Sequence, residues 1–214
     1  MPKISDQQKE TVKNDILQAA KTVFGRQGYE AATMKDIVAE TGRSFGGVYM
    51  YFSSKEELFY ELLKRQYGAM EVDIDANQAA GCWDALASFL DHQQKRAGLA
   101  ESGLAPCLYE FFIVGRRDEL RKQMIAERYN AVYDSIKALI DSGIRSGEFQ
   151  PVQSSDTLIH FLISYLDGIF VESIITGDER IRIQDQFELL KRLLKSSLQP
   201  GAIDRPSAGR SSID

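Results

Sequence analysis

The side chains in this 214-residue sequence that could do covalent or acid-base chemistry are not spaced to assemble a site. Glu110 stands inside the apolar run LAPCLYEFFIVG, Cys82 and Cys107 are far apart with no CxxC pattern, and His92 and His160 are single histidines on helical stretches. A helical enzyme using Glu110, His92 or Cys107 would need a nucleophile-base pair, a metal-ligand spacing or a phosphate loop, and the sequence offers none. The expectation is no enzyme, no cofactor, no metal and no disulfide framework. Glu110 still needs a partner, either Arg116, Arg117, Arg128 or a cationic ligand, because an unpaired carboxylate in apolar surroundings is costly.

A second kind of chemistry is recognition. Residues 33–52, TMKDIVAETGRSFGGVYMYF, read as two short helices joined by a tight turn at Gly42, with Ile37, Val38 and Val48 placed to hold them at a fixed angle. That is a helix-turn-helix pattern. Its second helix can lie in a major groove, where base pairs present distinguishable donors and acceptors, and only its outward residues can read them.

The elements that must position this motif follow from helical periodicity, since no run alternates long enough to make a strand. The chain is expected to be all-α, with about nine helices. Ile16, Leu17, Ala20, Val23 and Phe24 mark one face of the first helix, with Gly28 as its stop. Thr33 caps the second, with Asp36 in the capping-box place; Ser44 caps the third, and Ser53 or Ser54 the fourth. Five more follow at residues 83–90, 104–114, 120–144, 158–175 and 187–198. Three regions result: residues 1–66 as a DNA-binding head, 67–199 as a larger helical body, and 200–214 as a tail with too little apolar content to fold.

The segment from Ile16 to Leu63, with ILQAAKTVFGRQGYEAATMKDIVAETG followed by GGVYMYFSSKEEL, resembles the DNA-binding domain of the TetR/AcrR family of transcriptional regulators. The later GEFQPVQ is similar to the YfiR-like branch of that family. The resemblance implies that Thr33, Tyr49, Tyr51 and Lys55 touch the sugar-phosphate backbone and that Lys35 touches a phosphate or a base. It places Ser44, Phe45, Gly46 and Gly47 at the base-reading positions of the recognition helix. Phosphate contacts set register and base contacts set sequence.

Two residues depart from the family pattern. Arg43 stands where a small apolar residue is usual, so it must point outward, toward phosphate. Phe45 replaces a polar reader and suits van der Waals contact with a thymine methyl. With Gly46 and Gly47 beside it, this helix is expected to rely on close approach and DNA shape more than on bidentate pairs.

For the body, the resemblance implies a homodimer and a pocket for a hydrophobic or aromatic small molecule. The aromatic-rich middle helices supply Trp83, Phe89, Tyr109, Phe112, Tyr129 and Tyr133 as pocket candidates, with Glu110, Phe161 and Tyr165. The last two long helices supply Leu162, Ile169, Phe170, Phe187, Leu190 and Leu194 as interface candidates. A competing reading is a DNA-binding factor that works through protein partners without an effector. A dry, packed middle would favour that reading, and a cavity of order a few hundred Å³ the first.

Residues 158–175 could pass for a membrane span, but His160, Ser164, Asp167 and Glu172 interrupt them, and a buried or interface helix is expected. The polar, mixed-charge N-terminus lacks the features of a signal peptide, which suggests a cytoplasmic protein. The formal net charge is -5, yet it is uneven: residues 1–66 hold 10 basic and 9 acidic side chains, and residues 67–214 hold 16 and 22. Affinity for DNA must then come from placed cations rather than from a basic field.

Overall fold

A computed structural model describes residues 5–67, 81–100 and 104–200. Helix is the only regular secondary structure among the described residues, and the nine helices read from the sequence are all present. They are α1 (Asp6–Gln27), α2 (Met34–Thr41), α3 (Phe45–Tyr49), α4 (Lys55–Tyr67), α5 (Cys82–Ala97), α6 (Ala105–Val114), α7 (Glu119–Arg145), α8 (Ser155–Thr176) and, after a single-turn α9 (Asp178–Ile181), α10 (Ile183–Leu198). The proposed tail, residues 200–214, lies outside the described residues apart from its first.

Local chemistry sets the boundaries. Helix α1 begins well before its apolar face, because Ser5 and Gln8 form a reciprocal capping box ahead of it. Thr33 and Asp36 do the same for α2, and Gly42 ends that helix in the left-handed conformation that makes the tight turn. Ser44 then accepts the Gly47 N–H to start α3. Before α4, Ser54 accepts the Glu57 N–H, and the Glu57 carboxylate reaches back to the Ser53 N–H and hydroxyl.

Two apolar cores result. One packs Ile16, Val23, Phe24, Tyr29, Ile37, Val48, Leu58 and Phe59 of α1 to α4, and it takes in Leu104, Cys107, Leu108, Phe111 and Met124 from α6 and α7. The head is therefore closed underneath by the body. The second core holds Leu86, Leu90, Ile136, Ile140, Ile159, Leu162, Phe187 and Leu190 of α5, α7, α8 and α10. Helix α8 is long and apolar enough to cross a membrane by length and composition. Its apolar residues Leu158, Ile159, Leu162, Ile163, Leu166, Ile169 and Phe170 are instead buried in that second core.

Candidate nucleic-acid interface and body cavity

The recognition helix α3 turns only Val48 fully inward. On its open side Phe45 is 53% exposed and Met50 76%, and the Phe45 and Tyr49 rings stack nearly parallel with centroids 6.3 Å apart. A Cβ added at Gly46 would meet nothing within 4 Å. The fold thus does not require glycine there, and its bareness leaves room for a partner to approach the backbone. Lys35 and Ser44 are exposed on the same motif, although the Ser44 hydroxyl is already used as the cap. The Thr33 hydroxyl likewise accepts the Asp36 N–H and donates to the Asp36 carboxylate at 2.6 Å, which holds that carboxyl below its ordinary range.

Three expected phosphate contacts have partners inside the chain. Arg43 does point outward, but its guanidinium pairs with Asp15 of α1 at 2.8 Å. Both groups are solvated, so the pair is weak enough to exchange. Lys55 donates to the carbonyls of Tyr29 at 2.9 Å and Glu30 at 3.2 Å, with its ammonium 4.4 Å from the centre of the Tyr29 ring. This lysine therefore fastens the α1–α2 turn to the start of α4. Tyr51 is half-buried and packs on the head core, leaving Tyr49 as the exposed ring. Met50, not singled out in the sequence, is the most open apolar side chain of the motif.

Glu110 corrects the sequence reading. Its partners are not Arg116, Arg117 or Arg128: the carboxylate accepts the backbone N–H of Tyr29 at 2.7 Å and of Glu30 at 3.1 Å. It belongs to the joint between head and body, with Arg121 of α7. The Arg121 guanidinium pairs with Glu30 at 2.9 Å and Glu56 at 3.8 Å and lies 4.6 Å from the Phe111 ring centre. Gly115 makes this possible, because a Cβ there would sit 2.0 Å from Arg121 Cδ. Burial, and after it the Glu56 carboxylate, pushes the Tyr29 phenol far above its usual range, so it stays a donor to Glu56 at 3.0 Å.

A cavity of about 220 Å³ opens between α4, α6 and α7, lined by Tyr60, Leu63, Lys64, Leu108, Phe112, Met124, Glu127, Arg128 and Ala131. Of the pocket candidates only Phe112 lines it. Phe89 and Tyr129 line a second, small cavity between α5, α7 and α8. The others are engaged elsewhere. Trp83 packs on the body core beneath Lys195, Tyr109 donates to Asp167, Tyr133 to Asp156, Tyr165 to Gln186, and Phe161 is exposed.

Comparison with known proteins decides the family. Residues 16–62 match the model for bacterial regulatory proteins of the tetR family, and residues 85–184 match the tetracyclin repressor-like C-terminal domain. The HTH-type transcriptional regulator YfiR of Bacillus subtilis is 36% identical over 200 residues, covering 92% of this chain and 97% of YfiR. The chain belongs to the TetR family of transcriptional regulators. The transcriptional repressor AcnR of Corynebacterium diphtheriae is 23% identical over 197 residues, covering 92% of this chain and 98% of AcnR. A TetR-family regulator from Cytophaga hutchinsonii superposes with a TM-score of 0.72 at 18% identity, covering 94% of this chain and all of that one.

Within this TetR-family regulator the six interface candidates are corrected by burial. Leu162, Ile169, Phe170, Phe187, Leu190 and Leu194 all pack inside the chain's own core. The outward apolar side chains of the same helices include Phe161 and Ile175 on α8, with Leu189 at 51% and Leu193 at 48% exposure on α10. Leu189 and Leu193 are four apart and share one face of α10. The signal lay in the sequence as a second apolar stripe beside the dominant one.

Proposed function

We propose that this chain is a repressor that binds a near-palindromic operator as a homodimer and is released when a small molecule occupies the body. One short recognition helix reads too few base pairs alone, so a two-fold dimer with heads about 34–36 Å apart fits two successive major grooves. The exposed Phe161, Leu189 and Leu193 offer α8 and α10 as the pairing face. Base reading falls to Phe45, Tyr49 and Met50 around the open Gly46, with Lys35 and a released Arg43 on phosphate.

The observation that carries the ligand response is the wall of the larger cavity. Tyr60, Leu63 and Lys64 of α4 form one side of it, and α4 is the helix that runs out of the head. A molecule seated there presses directly on the head's anchor, and it shifts the head separation by its preference for the released state. Repression accords with the name of the AcnR relative.

Footprinting of the gene's own promoter region, with and without candidate small molecules, tests the reading. The expected result is a protected near-palindrome that is lost with one of them. No protected palindrome in either condition overturns it.

A further inference from the structure

Among the described residues two buried side-chain donor atoms have no partner, Nε2 of Gln93 on α5 and Nε of Arg128 on α7. Both residues line the same small cavity, between α5, α7 and α8. Gln93 is only 1% exposed, so bulk water does not serve its amide. Buried donors are paired in folded proteins with few exceptions, and two exceptions converging on one cavity point to an acceptor that arrives from outside the chain.

The surroundings define that acceptor. Phe89, Val132, Ile163 and Leu166 close the small cavity with apolar surface and offer no acceptor. Tyr129 and Asp167 are the exceptions, but the Tyr129 hydroxyl is paired with His160 Nδ1, and the Asp167 carboxylate accepts the Tyr109 hydroxyl at 3.1 Å and forms an ion pair with Arg128 Nη2 at 3.7 Å, which leaves Arg128 Nε without a hydrogen bond. Arg128 keeps a cationic N–H free. The same arginine lines the larger cavity, whose walls include Leu63, Leu108, Phe112 and Met124. Arg128 thus lines both an apolar volume of about 220 Å³ and a small site of about 30 Å³ that has one amide and one guanidinium donor to spare.

We propose that the body binds an amphipathic carboxylate, with the carboxylate held by Gln93 and Arg128 and the apolar portion in the larger cavity against Leu63, Leu108, Phe112 and Met124. A carboxylate supplies two acceptor oxygens, one for each free donor, and its charge strengthens both bonds. The apolar portion touches α4, so this deepens the ligand-responsive reading above and rests on it for its link to DNA.

The test titrates the full-length protein with octanoate and phenylbutyrate, using octanol as the neutral control. The expected result is saturable binding of at least one carboxylate, with octanol weaker by about tenfold or more. Gln93→Leu and Gln93→Met fill the same space without the amide; either, if folded, should bind the carboxylate about tenfold more weakly. Equal binding of octanol, undiminished affinity in a folded Gln93 variant, or no binding of either carboxylate overturns the proposal. The last result makes an ordered water the occupant of the small cavity. A different molecule releasing the operator while carboxylates fail leaves the ligand-responsive reading standing alone. Gln93-dependent binding with no effect on the operator complex keeps the site and removes the release mechanism.

Discussion

The carboxylate of Glu110 accepts the backbone N–H of Tyr29 at 2.7 Å across 81 positions of sequence, and in doing so holds the α1–α2 turn of the head on α6 of the body. Its second oxygen takes the Glu30 N–H. Gly28 is needed alongside, since its φ of +79° is left-handed and a Cβ there would lie 2.9 Å from Glu110 Oε2. Replacing Glu110 by alanine leaves two amides short of a partner and should cost about 1–3 kcal/mol of stability, more than Glu110→Gln, which keeps an acceptor. Denaturant melts of the two variants check the order.

Arg121 ties α7 to the head through Glu30, Glu56 and the aromatic faces of Tyr29 and Phe111. An element that joins the cavity wall to the head is where coupling should be lost without loss of either binding event. Arg121→Met is expected to keep operator binding while reducing the effect of an inducer, within the usual coupling range of about 1–3 kcal/mol. Gly115→Ala, which displaces the Arg121 side chain, should reproduce it. Operator binding measured across an inducer titration distinguishes these variants from simple loss of function.

How much of this was legible in the sequence depends on distance along the chain. The caps Thr33 and Ser44, the Gly42 turn and the inward Val48 are local events, each settled within a few residues, and the head motif follows from them. The partners of Glu110 are not local. They are backbone amides about eighty positions away, and no pattern of side-chain types announces a backbone donor. Helices α8 and α10 fail for another reason: periodicity shows that a helix has an apolar face, but not whether that face meets its own body or another chain. The dominant stripe of α10, Phe187, Leu190, Leu194 and Leu198, fills the chain's own core, which leaves the weaker stripe of Leu189 and Leu193 outside.

That division makes neighbouring leucines behave oppositely. Leu190→Ala removes a fully packed side chain and should cost about 2–5 kcal/mol. Leu189→Glu with Leu193→Glu should leave the protomer's melting behaviour close to unchanged by comparison, yet abolish dimer formation and with it operator binding. Sedimentation analysis beside thermal melts separates the two outcomes; a dimer that survives both glutamates rules out this face.

Cys107 is buried, and its thiol is pushed up to about 11, first by burial and then by the Glu110 carboxylate. The folded protein thus favours the neutral thiol. The stability this contributes is complete below the ordinary thiol value and is lost as pH rises through about 11. At mildly alkaline pH a thiol reagent should modify Cys82, which is partly exposed, well before Cys107. Both should react at once in denaturant. Equal rates in the native protein would contradict the packing of Cys107 against the Phe24 carbonyl, which its Sγ reaches at 3.2 Å.

The recognition helix yields the last prediction. With Phe45, Tyr49 and Met50 presenting apolar surface and Gly46 leaving the backbone bare, readout should rest on methyl contacts and close approach. Phe45→Ala should then weaken the operator complex by about 1 kcal/mol or more, with most of the loss at T-containing positions. Gly46→Ala, harmless to the free fold because its Cβ meets nothing and alanine is the better helix former, should weaken binding without lowering the melting temperature. Arg43→Ala should instead weaken all sequences about equally and lower the salt dependence by roughly one counterion per head, since a phosphate contact carries no sequence information. Freeing Arg43 from Asp15 by Asp15→Asn should act in the opposite direction, because the arginine no longer has to leave a partner before reaching DNA. If Phe45→Ala binds every operator variant as tightly as the parent protein does, reading passes to the hydrogen-bonding groups of Ser44 and Lys35, and the apolar account of specificity fails.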